Sequence, residues 1–108
     1  MANGGLGDMG SLLKQAQQMQ RRLAKLREDL KERVVEGTAG GGAVKVHVNG
    51  LSEVLAVKIS PEVVDPKDVS MLEDLVVAAL AAGIKKAQEL HQEEMGKVTG
   101  GLNLPGLF

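Results

Sequence analysis

The side chains best suited to bind a charged ligand lie near the N-terminus, between Met9 and Arg27. This segment carries five cations and no acidic residue. Guanidinium and ammonium groups bind phosphate oxygens through charge-assisted hydrogen bonds, and Gln side chains add neutral donors. The pattern therefore indicates a surface for a polyanion, formed by Lys14, Gln18, Arg21, Arg22, Lys25 and Arg27.

Other residue types that carry chemistry are sparse. The chain has no Cys, which excludes disulfides, thiolate ligands and cysteine nucleophiles. His91 and Glu94 share a helix face, but a metal site usually needs three or four ligands. The glycine-rich segment 37–42 precedes a strand and lacks the Lys-Ser/Thr pair of a phosphate-binding loop, so we interpret it as a hairpin turn. We expect no catalytic activity, no cofactor and no metal.

Length and composition limit the alternatives further. The 108 residues suffice for one domain, and a net charge of -1 excludes a histone-like protein whose overall charge holds polyanions. Phe108 is the only aromatic residue, which excludes stacking of bases on an aromatic platform. The first residues, MANGGLGDMGSLLK, lack the pattern expected of a secretory signal, and the longest uncharged run is about half of the roughly 20 residues of a membrane span. These features favour a cytoplasmic protein.

The cations lie on a predicted helix over residues 8–33. Its apolar residues alternate in steps of three and four, which is the seam of a coiled coil, and Lys14, Arg21 and Lys25 fall on the opposite side. Such a seam needs a second helix, either from this chain or from another copy. A solvated outer face would explain the same charges, so both interpretations stay open here. The seam comprises Met9, Leu12, Ala16, Met19, Leu23, Leu26 and Leu30.

The middle of the chain alternates apolar and polar residues, which predicts a three-stranded antiparallel meander over residues 34–60. Asn49-Gly50 favours a tight hairpin turn, which Leu51 and Ser52 would lengthen if they joined it.

A second long helix is predicted over residues 65–95, with Asp65 as its cap and Pro66 in its first turn. Gly83 lies within this helix at a cost of about 1 kcal/mol, so we expect a bend or a close contact there. Residues 1–7 and 96–108 are expected to be flexible ends.

Two helices on one face of a small sheet bury little apolar surface for a chain of this size. We therefore expect a homodimer that covers the seam and the apolar centre of the second helix. The predicted interface residues are Leu12, Met19, Leu23, Leu26 and Leu80.

Five segments, in this order and at consistent spacing, carry a resemblance over nearly the whole chain. They are residues 13–20 (LKQAQQMQ), 44–50 (VKVHVNG), 65–66 (DP), 71–75 (MLEDL) and 102–106 (LNLPG). Together they resemble the YbaB/EbfC family of bacterial nucleoid-associated proteins. The resemblance implies a small α+β homodimer whose paired helical arms bind duplex DNA, without catalysis.

The residues and the resemblance together predict a protein of the cytoplasm and nucleoid that binds double-stranded DNA mainly through its phosphates. We expect it to organise the nucleoid, with effects on DNA conformation and gene expression. Lys85 and Lys86 on the second helix are weaker candidates for DNA contacts. The alternative is an adaptor that binds a protein partner through its helical arms and its apolar C-terminal tail.

Overall fold

The computed structural model describes the backbone of residues 2–100 and the burial of side chains over residues 9–99. The elements are α1 (Ala2–Glu32), β1 (Val34–Ala39), β2 (Val44–Asn49), β3 (Val54–Ile59), a short 3-10 turn (Pro61–Val63) and α2 (Val69–Gly100). The predicted α+β order of helix, three strands and helix is confirmed.

Both helices extend into segments that were expected to be flexible. Helix α1 begins at Ala2 rather than near Asp8, and α2 continues past Met95 to Gly100. Helix ends depend on local backbone hydrogen bonds, which composition does not determine. The rest of the expected C-terminal tail, residues 101–108, lies outside the described residues.

The start of α2 differs from the prediction. The Asp65 carboxylate accepts a hydrogen bond from the backbone N–H of Lys67 at 2.9 Å, and the Asp65 carbonyl accepts one from the N–H of Asp68 at 2.9 Å. These bonds close a turn instead of capping a helix. The cap is Asp68, whose Oδ1 accepts a hydrogen bond from the N–H of Met71 at 3.2 Å. The assignment of Asp65 and Pro66 to the helix start was therefore wrong.

The sheet has the order β1-β2-β3 with antiparallel pairs, as a meander requires. Val44, Val46 and Val48 of the central strand β2 are fully buried. They pack in one core cluster with Ala79 and Ala87 of α2. This cluster is thus a contact between α2 and the central strand on one face of the sheet, and all its side chains are aliphatic.

Gly37 and Gly83 allow α2 to approach the sheet closely. A side chain at position 37 would collide with the backbone of Ala79 and of Gly83 itself. A Cβ at position 83 would lie 2.9 Å from Cγ2 of Val48. Gly83 therefore serves a close contact between helix and strand, one of the two roles expected for it.

The β2–β3 loop anchors α1 to the sheet. Asn49 is buried, and its Oδ1 accepts hydrogen bonds at 3.0 Å from the N–H groups of Leu51 and Glu53. Ser52 has a φ of 64°, so the loop is the longer form rather than a tight turn at Asn49-Gly50. The N–H of Gly50 donates to the carbonyl of Leu30 at 2.8 Å, which satisfies an acceptor at the C-terminal end of α1.

Replacement of Gly37 by Ala tests the close contact. The added methyl group would push α2 away from β1, and overpacking of this kind costs about 1–3 kcal/mol. We expect the midpoint of thermal unfolding to fall by roughly 4 °C or more. Circular dichroism during heating measures it.

Gly96→Ala is the matched control, because nothing lies within 4 Å of a Cβ added at that position of α2. Ala favours a helix over Gly by about 1 kcal/mol, so this variant should unfold at a higher temperature than the parent. Equal unfolding midpoints for the two variants would contradict the proposed role of Gly37.

Candidate nucleic-acid interface

Helix α1 is covered along only part of its length. Leu26 and Leu30 are buried, and Leu23 is half-buried. These leucines line a groove together with Met95 and His91 of α2. Toward the N-terminus, Met9 and Leu12 are each 62% exposed. The seam predicted from the heptad pattern is thus filled by α2 at its C-terminal end, while its N-terminal half remains open. This half of α1 forms an arm that extends from the domain.

The cationic side of this arm is accessible to solvent. At about 1.5 Å per residue, the distance along the helix from Lys14 to Lys25 is roughly 16 Å. Glu28 and Asp29 begin the acidic turn that follows Arg27. In the described part of the chain, the ion pairs involve Arg33, His47 and Lys97, and none neutralises this surface. We call it the arm stripe; its exposed residues are Lys14, Gln18, Arg21, Arg22 and Lys25.

The remaining predicted cations do not join the arm stripe. Arg27 is exposed but lines a groove with the β2–β3 loop and with Gln88 and His91 of α2. Lys85 is exposed on α2, whereas Nζ of Lys86 donates a hydrogen bond to the carbonyl oxygen of Glu36 on β1 at 2.8 Å. Lys86 thus binds the edge of the sheet, a role that its position in the sequence does not reveal.

Lys97 was missed because it lies in the segment that was expected to be a flexible tail. In the structure it lines a groove between the helices together with Arg22 and Lys25. The only sequence signal is a basic residue near the C-terminal end of a helix, where a cation interacts favourably with the helix dipole. The groove also contains Asp29 and Glu94, and Glu94 pairs with Lys97, so Lys97 adds no unpaired positive charge to the arm stripe.

Glu94 links the two helices electrostatically. Its Oε1 accepts hydrogen bonds from Nζ of Lys97 at 3.1 Å and from Nη1 of Arg33 at 3.0 Å. The bond from Lys97 is the main cause that lowers the pKa of Glu94, and Arg33 lowers it further, while desolvation opposes both. The pair with Arg33, the residue that follows α1, connects the C-terminal end of α1 to α2.

The two histidines lie in different parts of the fold and do not form a common site. Nε2 of His47 lies 3.1 Å from Oε2 of Glu36 on the exposed face of the sheet. His91 lies in the groove beside Arg27. Across the described residues, no three His, Cys, Asp or Glu side chains come together as metal ligands would.

No described helix is both long and apolar enough to cross a membrane.

The model of the YbaB/EbfC DNA-binding family matches residues 5–102. The chain belongs to this family. The family is defined by DNA binding and not by a reaction, in agreement with the resemblance seen in the sequence.

Individual relatives of this YbaB/EbfC chain are similar over nearly their whole length. A nucleoid-associated protein of Pelotomaculum thermopropionicum is 50% identical over 102 residues, which cover 94% of this chain and 97% of the relative. One of Caldanaerobacter subterraneus is 49% identical, with 100% of both chains covered. The crystal structure of an uncharacterized protein from Helicobacter pylori matches with a TM-score of 0.72 and 26% identity, covering 85% of this chain and 94% of that one.

The junction at Glu94 should be sensitive to acid. A lowered pKa in the folded protein means that the carboxylate stabilises the fold above its unfolded pKa, and that this contribution is lost as the pH falls through the folded pKa. Glu94→Gln should therefore lower the unfolding temperature at neutral pH, and the difference from the parent should shrink at acidic pH. Thermal unfolding at a series of pH values measures this.

The exposed neighbour Glu93, which forms none of these contacts, provides the control. Glu93→Gln should leave the pH dependence close to that of the parent. If Glu94→Gln behaved in the same way, the junction would not depend on this carboxylate.

Proposed function

We propose that this YbaB/EbfC protein binds double-stranded DNA as a homodimer, mainly through phosphate contacts made by the arm stripe. The observation that carries this proposal is a run of exposed cations on a helix that α2 covers only toward its C-terminal end, with no ion pair to any of these cations among the described residues. A phosphate backbone releases its counterions when such groups bind, which gives affinity without sequence recognition. The roughly 16 Å length of the stripe suits several consecutive phosphates.

The chemistry of the arm favours a duplex over a single strand. Stacking on aromatic side chains is the usual way to hold unpaired bases. Residues 9–99 contain no Phe, Tyr or Trp that could serve in this way. Arg, Lys and Gln bind phosphate oxygens and base edges instead. The arm stripe therefore fits a regular array of phosphates better than a strand whose bases are splayed.

The relatives named nucleoid-associated proteins support a place in the nucleoid and hence in the cytoplasm. Phosphate contacts alone would allow the protein to occupy many positions along DNA. Coverage of this kind would organise the nucleoid, alter DNA conformation and affect gene expression.

We place the dimer contact at β3, whose edge and inner face are open. Val57 pairs in register with the fully buried Val46, so both lie on the face that α2 packs against, yet Val57 is 43% exposed. Ile59 is likewise 39% exposed. Helix α2 covers β1 and β2 but stops short of β3. Pairing of β3 with its copy would satisfy the free edge and bury these side chains.

The interface residues predicted from the α1 seam and from the apolar centre of α2 have different surroundings. Leu26 is buried, and Leu80 packs against the core of its own chain. Met19 and Leu23 are half-buried, and Leu12 lies on the open arm. Leu12 and Met19 thus keep surface for contact with a second copy, whereas burial of Leu26 supports mainly the fold of the single chain.

An adaptor role is the second candidate. The observation that favours it is the apolar surface of the arm, where Leu12 and Leu13 are more than half exposed. The apolar tail that would assist lies outside the described residues. An adaptor would bind its partner through these leucines and would not need the cations of the arm stripe.

The four cations of the arm stripe, replaced together by Ala, distinguish the two candidates. The variant should remain folded, because exposed helix positions tolerate Ala within about 0.5 kcal/mol. Duplex affinity should fall for all sequences, and the slope of log affinity against log salt should decrease by about one for each phosphate that is no longer bound. Gel-shift titrations at several salt concentrations measure both quantities. The four residues are Lys14, Arg21, Arg22 and Lys25.

Lys31 offers a matched control, since it is an exposed cation on the same helix beyond the stripe. Lys31→Ala should leave the salt slope near that of the parent, while Arg21→Ala should reduce it. A folded quadruple variant that retained the parent's affinity and slope would exclude the arm stripe as the DNA site.

The dimer contact is tested by Val57→Asp. The charge would be buried without a partner if β3 pairs with its copy, and so assembly should be lost. Analytical ultracentrifugation at micromolar concentration should show a dimer for the parent and a monomer or unfolded chain for the variant. Thr38→Asp, on the exposed face of the other edge strand, is the control and should remain dimeric. A dimeric, folded Val57→Asp variant would place the contact elsewhere.

A further inference from the structure

Two lysines face each other on the sheet, away from the arm. The register pairs Lys45 of β2 directly with Lys58 of β3. Both alternate along their strands with residues of the inner face, such as the buried Val44 and Val46, so they lie on the outer face that α2 does not cover. Both are exposed.

Like charges that lie opposite each other across two strands destabilise a sheet. Acidic groups could offset this cost, but in the described residues neither ammonium group is within ion-pair distance of a carboxylate. The outer-face acid nearest in register is Glu36, and its carboxylate lies 3.1 Å from Nε2 of His47. Among the described residues, no carboxylate therefore offsets the repulsion expected between two lysines in this register.

We propose that Lys45 and Lys58 form a second phosphate-binding surface for duplex DNA, on the outer face of the sheet and separate from the arm stripe. This inference rests on the proposed function and extends it to a surface that the sequence pattern did not indicate. A phosphate between two ammonium groups removes their repulsion, so the bound state gains from an arrangement that is unfavourable in the free protein.

The surroundings of the pair suit a DNA backbone. Thr38 of β1 is opposite Lys45 in the register, so an exposed hydroxyl, Lys45 and Lys58 form a row across all three strands. Hydroxyl and ammonium groups are common donors to phosphate oxygens. Lysine stems are flexible and place compact charges without a fixed geometry, which fits contacts that do not depend on base sequence.

The double variant Lys45→Ala/Lys58→Ala tests this surface in the full-length chain. Duplex affinity at low salt should fall about ten-fold, and the salt slope should decrease by about two for each protomer that contacts the duplex. The unfolding temperature should stay the same or rise, because the repulsion is removed. Lys45→Arg/Lys58→Arg keeps the charges and should retain the parent's slope.

The control is Lys31→Ala/Lys67→Ala, which removes the same charge from two exposed positions elsewhere. If it reduced the slope as much as the double variant does, net charge would explain the effect and the proposal would be wrong. The proposal also fails if the folded Lys45→Ala/Lys58→Ala variant keeps the parent's affinity and slope. If the parent chain bound no duplex at low salt, the proposed function itself would be wrong. If the arm-stripe variant bound duplex more weakly while the Lys45→Ala/Lys58→Ala variant bound it like the parent, the proposed function would stand and the sheet surface would be excluded.

Discussion

The close approach of α2 to β1 at Gly37 and Gly83 is the contact on which the remaining architecture depends. Neither position has room for a side chain, so the helix axis lies near the backbone of the sheet. The small residues Ala79 and Ala87 then fill the space above Val46 and its neighbours. Because a single helix placed in this way covers two strands, β3 keeps an open apolar face and a free edge. The surface available for a second copy is thus a consequence of where α2 lies.

The way in which α1 extends from the domain depends on contacts at its C-terminal end. Its C-terminal end is held by the hydrogen bond from Gly50 to the carbonyl of Leu30 and by the ion pair of Arg33 with Glu94. Both contacts are at one end of a long helix, and α2 covers only the adjacent turns. The N-terminal half is therefore displayed rather than packed. Because the polar side of this helix is not packed against the domain, its cations stay hydrated in the free protein and are accessible to a ligand.

A chain with a net charge of -1 can still bind a polyanion because charges act over short distances. At physiological salt the screening length is about 8 Å, so acidic residues more distant than this weaken the attraction of the arm stripe for a polyanion only slightly. In the folded structure Lys97 lies in the same groove as Arg22 and Lys25, and Glu94, which accepts a hydrogen bond from Lys97, lies there too. Lys45 and Lys58 form a separate cluster. The local arrangement of charges, and not the total charge, determines which surface of the chain attracts a polyanion.

The sequence alone determined the order of helices and strands and the segregation of cations opposite the α1 seam, because both follow from periodicities within short segments. The tertiary structure decided which part of the seam is covered, so that Leu26 is buried while Leu12 is open. The tertiary structure also decided that Lys86 donates a hydrogen bond to the backbone of β1 and that Lys45 pairs in register with Lys58. These outcomes depend on which distant backbone segments meet, and that is fixed by close packing of the whole chain rather than by the pattern of any one segment.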